Sequence, residues 1–345
     1  MDFIKGIEGD YIESKNDNLI FDVKGIHHPK ERKICYVRFY PDPQGDREKE
    51  GQKFSKIYDL KERRAFLKQN YPKYLFFSEE LDLELQGVKN EDIKKIYTPR
   101  DHFKDLQEKG CTSKVEEYSR SLCELFITEG NVPEGSIGVT GSSMVGLNKD
   151  ESDIDLIIYG TQTSLEFQDE LEKIFNVTNK CRMYNLEEFK SHYEWRVGGS
   201  NIPFDDFIKS EKRKLHQGKF HGIDFFIRYI KSPEDWRGSY YDYNYKNYGR
   251  VKLKAKVLNS KDSIFTPCTY EISAIEVIES DKFSKNINVK KIREVNSFRA
   301  RFCEQAREGE TVLIEGKLEK VTFKNEMKYF RVLLSDQISD KMILL

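Results

Sequence analysis

Apolar residues at Val115, Tyr118, Leu122, Leu125 and Phe126 recur every three or four positions, which predicts a helix over 113–129 with one buried face. The pattern then shifts to short apolar runs and period-two alternation, predicting strands over 136–140, 153–159 and 222–230. Between them lie a short helix opening at Ser142 or Ser143, helices over 164–175 and 203–217, and further helical sequence around 186–195. Such alternation of helix and strand predicts an α/β layer domain.

Upstream, strand-like runs at 18–23, 33–40 and 74–77 accompany the turn Pro41-Asp42-Pro43-Gln44-Gly45 and a helix over 59–69. Thr98-Pro99-Arg100-Asp101 reads as a helix start and marks a boundary. Beyond Tyr248 the alternation is strict at Val251, Leu253, Ala255 and Val257, and again at Val312, Ile314, Gly316 and Leu318. With a turn at Lys324-Asn325-Glu326, this predicts a mostly β domain, read as a small barrel. The expected organisation is an α+β region over 1–105, an α/β (α+β) core over 106–235 and a β-rich domain over 236–345.

Bulk charge adds little, because 58 Lys and Arg nearly balance 59 Asp and Glu; a polyanion partner must be met by a local patch. No apolar run approaches about 18 residues, and the start Met1-Asp2-Phe3-Ile4-Lys5 lacks a signal-peptide pattern, so no membrane association is expected. Six scattered cysteines without a Cys-x-x-Cys pair fit a reducing cytoplasm and argue against a disulfide framework or zinc knuckle.

The chemistry concentrates in Gly138-Val139-Thr140-Gly141-Ser142-Ser143 and, ten residues after Ser142, Ser152-Asp153-Ile154-Asp155-Leu156. Alternation puts Asp153 and Asp155 on one face of a strand, with Cα atoms about 7 Å apart. Two half-buried anions at that spacing repel unless a cation lies between them, and a divalent metal answers that need. Gly141 permits a tight turn, after which the amides of Ser142 and Ser143 would open a helix whose positive end meets phosphate. Asp224, isolated in an apolar strand, is the candidate third carboxylate, brought alongside if the two strands pair about 4.8 Å apart. Arg228 shares its face and either touches phosphate or balances the acidic cluster.

These motifs resemble the minimal signature of the DNA polymerase β-like nucleotidyltransferase superfamily: a Gly-Ser turn, a spacer, Asp-x-Asp and a later strand Asp. The whole chain is also similar to an archaeal group of predicted nucleotidyltransferases. The resemblance implies a mixed-sheet core in which Asp153 and Asp155 bind two metals, Asp224 binds the catalytic one, and Gly141 and Ser142 hold the triphosphate. It implies Mg²⁺ or Mn²⁺ as cofactor, a nucleoside triphosphate (ATP foremost) as substrate, and release of pyrophosphate. RNA is the favoured acceptor; a protein hydroxyl, a small molecule, or an inactive nucleotide- or RNA-binding regulator are the alternatives.

Blander readings stand beside these. Asp205 and Asp206 rival Asp224 but lie in helical sequence. Lys209-Ser210-Glu211-Lys212-Arg213-Lys214 reads as a solvated helix face, and the aromatics from Trp236 to Tyr248 as a packed junction rather than a base-stacking surface. Arg293, Arg299, Arg301 and Arg307 read as solvated rather than as a basic stripe. His27-His28-Pro29 reads as a strand end or phosphate contact rather than a metal site. No Gly-Lys-Ser/Thr follows the glycines, which excludes a P-loop.

Overall fold

In the computed structural model, which describes residues 3–177, 181–281 and 287–345, the N-terminal apolar runs pair into one antiparallel sheet. Its strands are β1 (Tyr11–Ser14), β2 (Ile20–Val23), β3 (Arg32–Pro41), β4 (Arg47–Lys49), β5 (Gln52–Lys56), β6 (Leu75–Ser78), β7 (Leu83–Lys89) and β8 (Ile93–Tyr97). The order is β4-β5-β3-β2-β1-β8, with β7 also on β3 and β6 on β7. Helix α1 (Leu60–Asn70) follows β5 because Asp59 accepts hydrogen bonds from the Lys61 and Glu62 amides at its start. Leu67 of that helix joins Ile12, Leu19, Phe21, Val37 and Tyr74 in the core of this layer.

Helices α2 (Pro99–Glu108) and α3 (Lys114–Thr128) begin where expected, capped by the hydroxyls of Thr98 and Ser113. The central sheet then takes β9 (Ile137–Thr140), β10 (Ile154–Tyr159), β11 (Cys181–Arg182), β12 (Gln217–Phe220) and β13 (Ile223–Ile230), in the order β11-β12-β13-β10-β9. Among the described residues of this sheet only β10 and β13 run parallel, so the sheet is mixed. Helix α4 (Thr161–Val177) joins α3 on one face, where Phe126, Phe167 and Phe225 meet ring to ring. Gly138 allows α2 to press on β9: a Cβ there would stand 2.4 Å from the Pro99 carbonyl carbon.

The opposite face of the central sheet is covered by the chain's own beginning. Ile7 packs with Ile157, Tyr159 and Ile230, and Ile26 and Trp236 close the edge of that cluster. Gly9, at φ +91°, brings its backbone so near Ile157 that a Cβ would lie 2.7 Å from Cδ1, and its carbonyl accepts the Thr140 hydroxyl at 2.6 Å.

Two further helices, α5 (Leu186–Val197) and α6 (Phe204–Glu211), precede the C-terminal sheet of β14 (Tyr243–Asn259), β15 (Cys268–Ser280), β16 (Ile292–Ser297), β17 (Thr311–Phe323), β18 (Met327–Leu333) and β19 (Lys341–Leu344). Strand β14 pairs with both β15 and β17, so this sheet curls into a barrel-like form. The alternating positions Val251, Leu253, Ala255, Val257, Val312, Ile314 and Leu318 fill its inside as their period predicts. The turn at 324–326 takes positive φ at Lys324 and Asn325.

The chain divides into two compact units, residues 1–78, 83–182 and 216–240 in one and 79–82, 183–215 and 241–345 in the other. The expected N-terminal region and catalytic core therefore share a unit, joined by the contacts of Ile7, Gly9 and Thr140, while α5 and α6 belong with the C-terminal sheet. The helix expected over 203–217 stops at Glu211. Lys214, inaccessible to solvent, pairs with Glu211 at 2.9 Å and donates to the Arg301 carbonyl at 2.6 Å, so this run is not a solvated face.

Asp10 gives the first unit a pH signature. It is 1% exposed and accepts the Gly6 and Ile7 amides at 2.6 and 3.2 Å, yet burial pushes its carboxyl up to about 7. The folded protein thus retains a proton that the unfolded chain releases near pH 4, and stability is lost as pH rises from there through about 7. Asp10→Asn removes this pH dependence. Urea midpoints should show the variant gaining about 2–4 kcal/mol relative to wild type between pH 4 and 8.

Candidate active site on the central sheet

Parallel pairing sets Ile154 opposite Phe225 and Asp155 opposite Phe226, so Asp153, one residue ahead of β10, falls level with Asp224. Asp155 and Asp224 occupy the face away from the helices, because the alternate residues Ile154, Leu156 and Phe225 are buried against them. The three carboxylates repel one another. Although Asp153 opens to solvent, the protein around it and the charges of Asp155 and Asp224 push its carboxyl up to about 6, against the pull of Lys56 and Lys219. Among the described residues, however, no three His, Cys, Asp or Glu side chains converge closely enough to hold a metal ion together. Asp224 is instead paired at 2.9 Å with Lys219, its cross-strand neighbour on β12.

Gly141 comes directly after β9 at φ +82° and lies against Asp155: a Cβ there would stand 2.5 Å from Oδ2. Only glycine serves both needs. In place of the expected helix, the chain then makes a single 3₁₀ turn, Ser143–Val145, too short to carry a helix dipole. Ser143 is buried, with its hydroxyl 3.5 Å from the Thr140 carbonyl, which removes it from a phosphate-facing set. The Ser142 hydroxyl is half-buried and stands 3.5 Å from that of Ser152, which in turn accepts the Lys149 amide at 2.8 Å. The turn is held from below by the N-terminal sheet. Met144, Val145 and Leu147 pack with Tyr11, Ile20, Phe39 and Phe54, and Arg47 donates to the Leu147 carbonyl.

Of the two roles open to Arg228, the geometry shows the counter-ion. It meets Glu8 at 3.1 Å; Glu8 also accepts Lys24 at 3.1 Å and the Gly25 amide at 2.7 Å, and Lys24 reaches Asp22 at 3.0 Å. Glu8 is inaccessible to solvent, so this chain of charges is a low-dielectric network. Burial opposes the guanidinium's charge, but Asp22, Glu8 and Asp155 together raise its pKa. Burial likewise works against the Asp22 carboxylate, yet Lys24, Arg228 and Arg38 hold its pKa below the ordinary value.

The remaining sequence candidates fall elsewhere. Asp205 and Asp206 open α6 in the second unit, where Asp206 pairs with Lys209 at 2.7 Å. His28 accepts the Ile34 amide at 3.1 Å, and burial pushes its pKa down to about 3, so it is a neutral strand-end acceptor. Tyr240 is buried with its hydroxyl 2.6 Å from that of Ser78, and Trp236 donates to the Lys231 carbonyl. Arg301 donates to the carbonyls of Gln337 and Asp340, and Arg299 to that of Ser335, tying down the C-terminal loop rather than standing in solvent. All six cysteines are free, and among the described residues no helix is long and apolar enough to cross a membrane.

Sequence reasoning passed over Lys219, Lys56, Glu8 and Asp22. For Lys219 a signal exists: His221 and Gly222, both at positive φ, form a two-residue hairpin that sets residue 219 opposite 224. The others come from strands and loops distant in the chain, which no local spacing reveals.

The chain is 28% identical over 334 residues to an uncharacterized protein of the archaeon Methanocaldococcus jannaschii, and the match covers 94% of each. No family model matches it, and no solved structure does.

The contact between Gly141 and Asp155 is directly testable. Gly141→Ala should lower stability by about 1–3 kcal/mol, part steric and part from the strained φ. In an Asp155→Ala background the Oδ2 clash disappears and only the 3.1 Å contact with the remaining Cβ is left, so thermal melts of the double-mutant cycle should be non-additive.

Proposed function

We propose that the protein is a Mg²⁺-dependent nucleotidyltransferase that moves a nucleoside monophosphate from a triphosphate to an acceptor hydroxyl, releasing pyrophosphate. The carrying observation is that Asp153, Asp155 and Asp224 share one end of a mixed sheet beside the Gly141 turn, and that burial, with the charges of the other two, raises Asp153. An all-carboxylate set suits a hard divalent ion in its chemistry. Asp153 and Asp155 would hold it, joined by Asp224 when Lys219 turns aside. When bound, the metal neutralises phosphate charge and makes the acceptor hydroxyl a better nucleophile.

The chain's own part is positional. Gly141 and the half-buried Ser142 would border a phosphate bound beside Asp155. The acceptor oxygen attacks the α-phosphorus, the bond to the bridging oxygen breaks, pyrophosphate departs, and Asp224 takes the hydroxyl proton. Arg228, locked to Glu8, keeps the field behind Asp155 positive without touching substrate. For the acceptor we favour RNA: the barrel-like sheet of the second unit carries Tyr243 stacked on Tyr245 with ring centres 5.6 Å apart, and Arg331 over Tyr245 at 3.8 Å.

The test is pyrophosphate release from each labelled triphosphate with Mg²⁺, with and without RNA. Wild type should turn over only when RNA is present, and Asp155→Asn should lower the rate at least about 100-fold while melting normally. Label on a protein band would redirect the acceptor assignment, and an unchanged rate in the variant would remove Asp155 from the site.

A further inference from the structure

Two cations beside the acidic site make no close ion pair among the described residues, although Arg38 acts at longer range on the buried Asp22 carboxylate. Strand β3 carries a bulge: Ile20 pairs with Phe39 and Phe21 with Val37, which leaves Arg38 as the extra, re-aimed residue. On the neighbouring strand, Lys56 lies opposite Phe39. The Arg38 guanidinium is 5.7 Å and the Lys56 ammonium 4.6 Å from the centre of the Tyr58 ring, so the two heads flank one aromatic side chain. Neither head has an ion-pair or hydrogen-bond partner among the described residues, and the Arg38 Nε is buried without one.

Two like charges, half-buried and adjacent, are unfavourable unless an anion meets them. Burial, Arg38 and Arg47 push Lys56 down to about 8, while Asp155 and Asp153 support its charge. Phe39, next to both cations in the sheet, belongs to the same apolar cluster as Met144 and Val145, which fixes this edge against the turn after Gly141. The Arg47 guanidinium, nearest in kind, is already engaged by the Leu147 carbonyl.

From this placement we infer that Arg38 and Lys56, supplied by the N-terminal sheet, form a polyphosphate-binding subsite facing the carboxylates. A ligand with several linked phosphates meets both walls at once: its oxygens take the cations here, and its metal-binding end faces Asp153 and Asp155. That the ligand is a nucleoside triphosphate rests on the proposed function; the affinity for linked phosphates does not.

The probe is inorganic tripolyphosphate, titrated calorimetrically into the full chain with EDTA present. Wild type should bind it, with affinity falling as KCl is raised. Lys56→Met, which keeps the packed stem, and Arg38→Gln should each weaken binding about tenfold or more, whereas Lys56→Arg should restore it. Asp155→Asn, which removes a repelling charge, should bind at least as well as wild type. Tripolyphosphate binding without any nucleotide turnover would support the subsite and count against nucleotidyl transfer. Absence of binding by wild type, salt-independent binding, or equal binding by variants that melt normally would each overturn the subsite.

Discussion

Three carboxylates at one end of a sheet repel each other, and the surroundings of this site are organised around bearing that repulsion. Asp224 is quenched by Lys219 across a hairpin. Asp155 has Arg228 behind it, and Arg228 is itself balanced by Glu8 and Asp22. Asp153 has no such partner among the described residues, and burial with the charges of Asp155 and Asp224 pushes its carboxyl up. A fold with no use for a concentrated negative site would be more stable with one of these residues neutral, since uncompensated like charges are destabilising wherever water is partly excluded. Their grouping therefore points to a ligand that is positive, or that arrives with a cation.

The N-terminal sheet is a working part of this arrangement rather than an appendage. It wedges the turn after Gly141 through Tyr11, Phe39 and Phe54, follows directly on the segment that lays Glu8 and Gly9 against the central sheet, and contributes Arg38 and Lys56, which make no close ion pair among the described residues. Without it, Ile157 and Ile230 would be exposed and Arg228 would lose its counter-charges. This is why the first hundred residues and the central sheet form one compact unit.

Much of the fold is legible in the chain because its signals are local. The period of Val115 to Phe126, the caps at Thr98 and Ser113, and the alternation from Val251 to Val257 each report a neighbour within four residues. The pairing of β10 with β13, which levels Asp153 with Asp224, matches the expectation from two apolar strands, one carrying the Asp-x-Asp pair and the other an isolated Asp. Signals failed where tertiary contacts override local preference. Residues 212–217 carry a helix-like charge pattern, yet Lys214 is drawn inside by Glu211, and the strand bearing Lys219 begins at Gln217. Ser142 and Ser143 read as a helix start, yet Met144, Val145 and Leu147 are claimed by the N-terminal sheet, which leaves one tight turn. The partners of Arg228 lie more than two hundred residues away and leave no trace in spacing.

The central claim is that Asp153 and Asp155 gather a divalent cation and a triphosphate on this face. Anomalous scattering from a crystal soaked with Mn²⁺ and a non-hydrolysable triphosphate tests it most directly. The account predicts a peak about 2.1 Å from carboxylate oxygens of both residues, with Asp224 turned away from Lys219 towards it. A triphosphate bound elsewhere, or one seated here with no metal between these carboxylates, would contradict it.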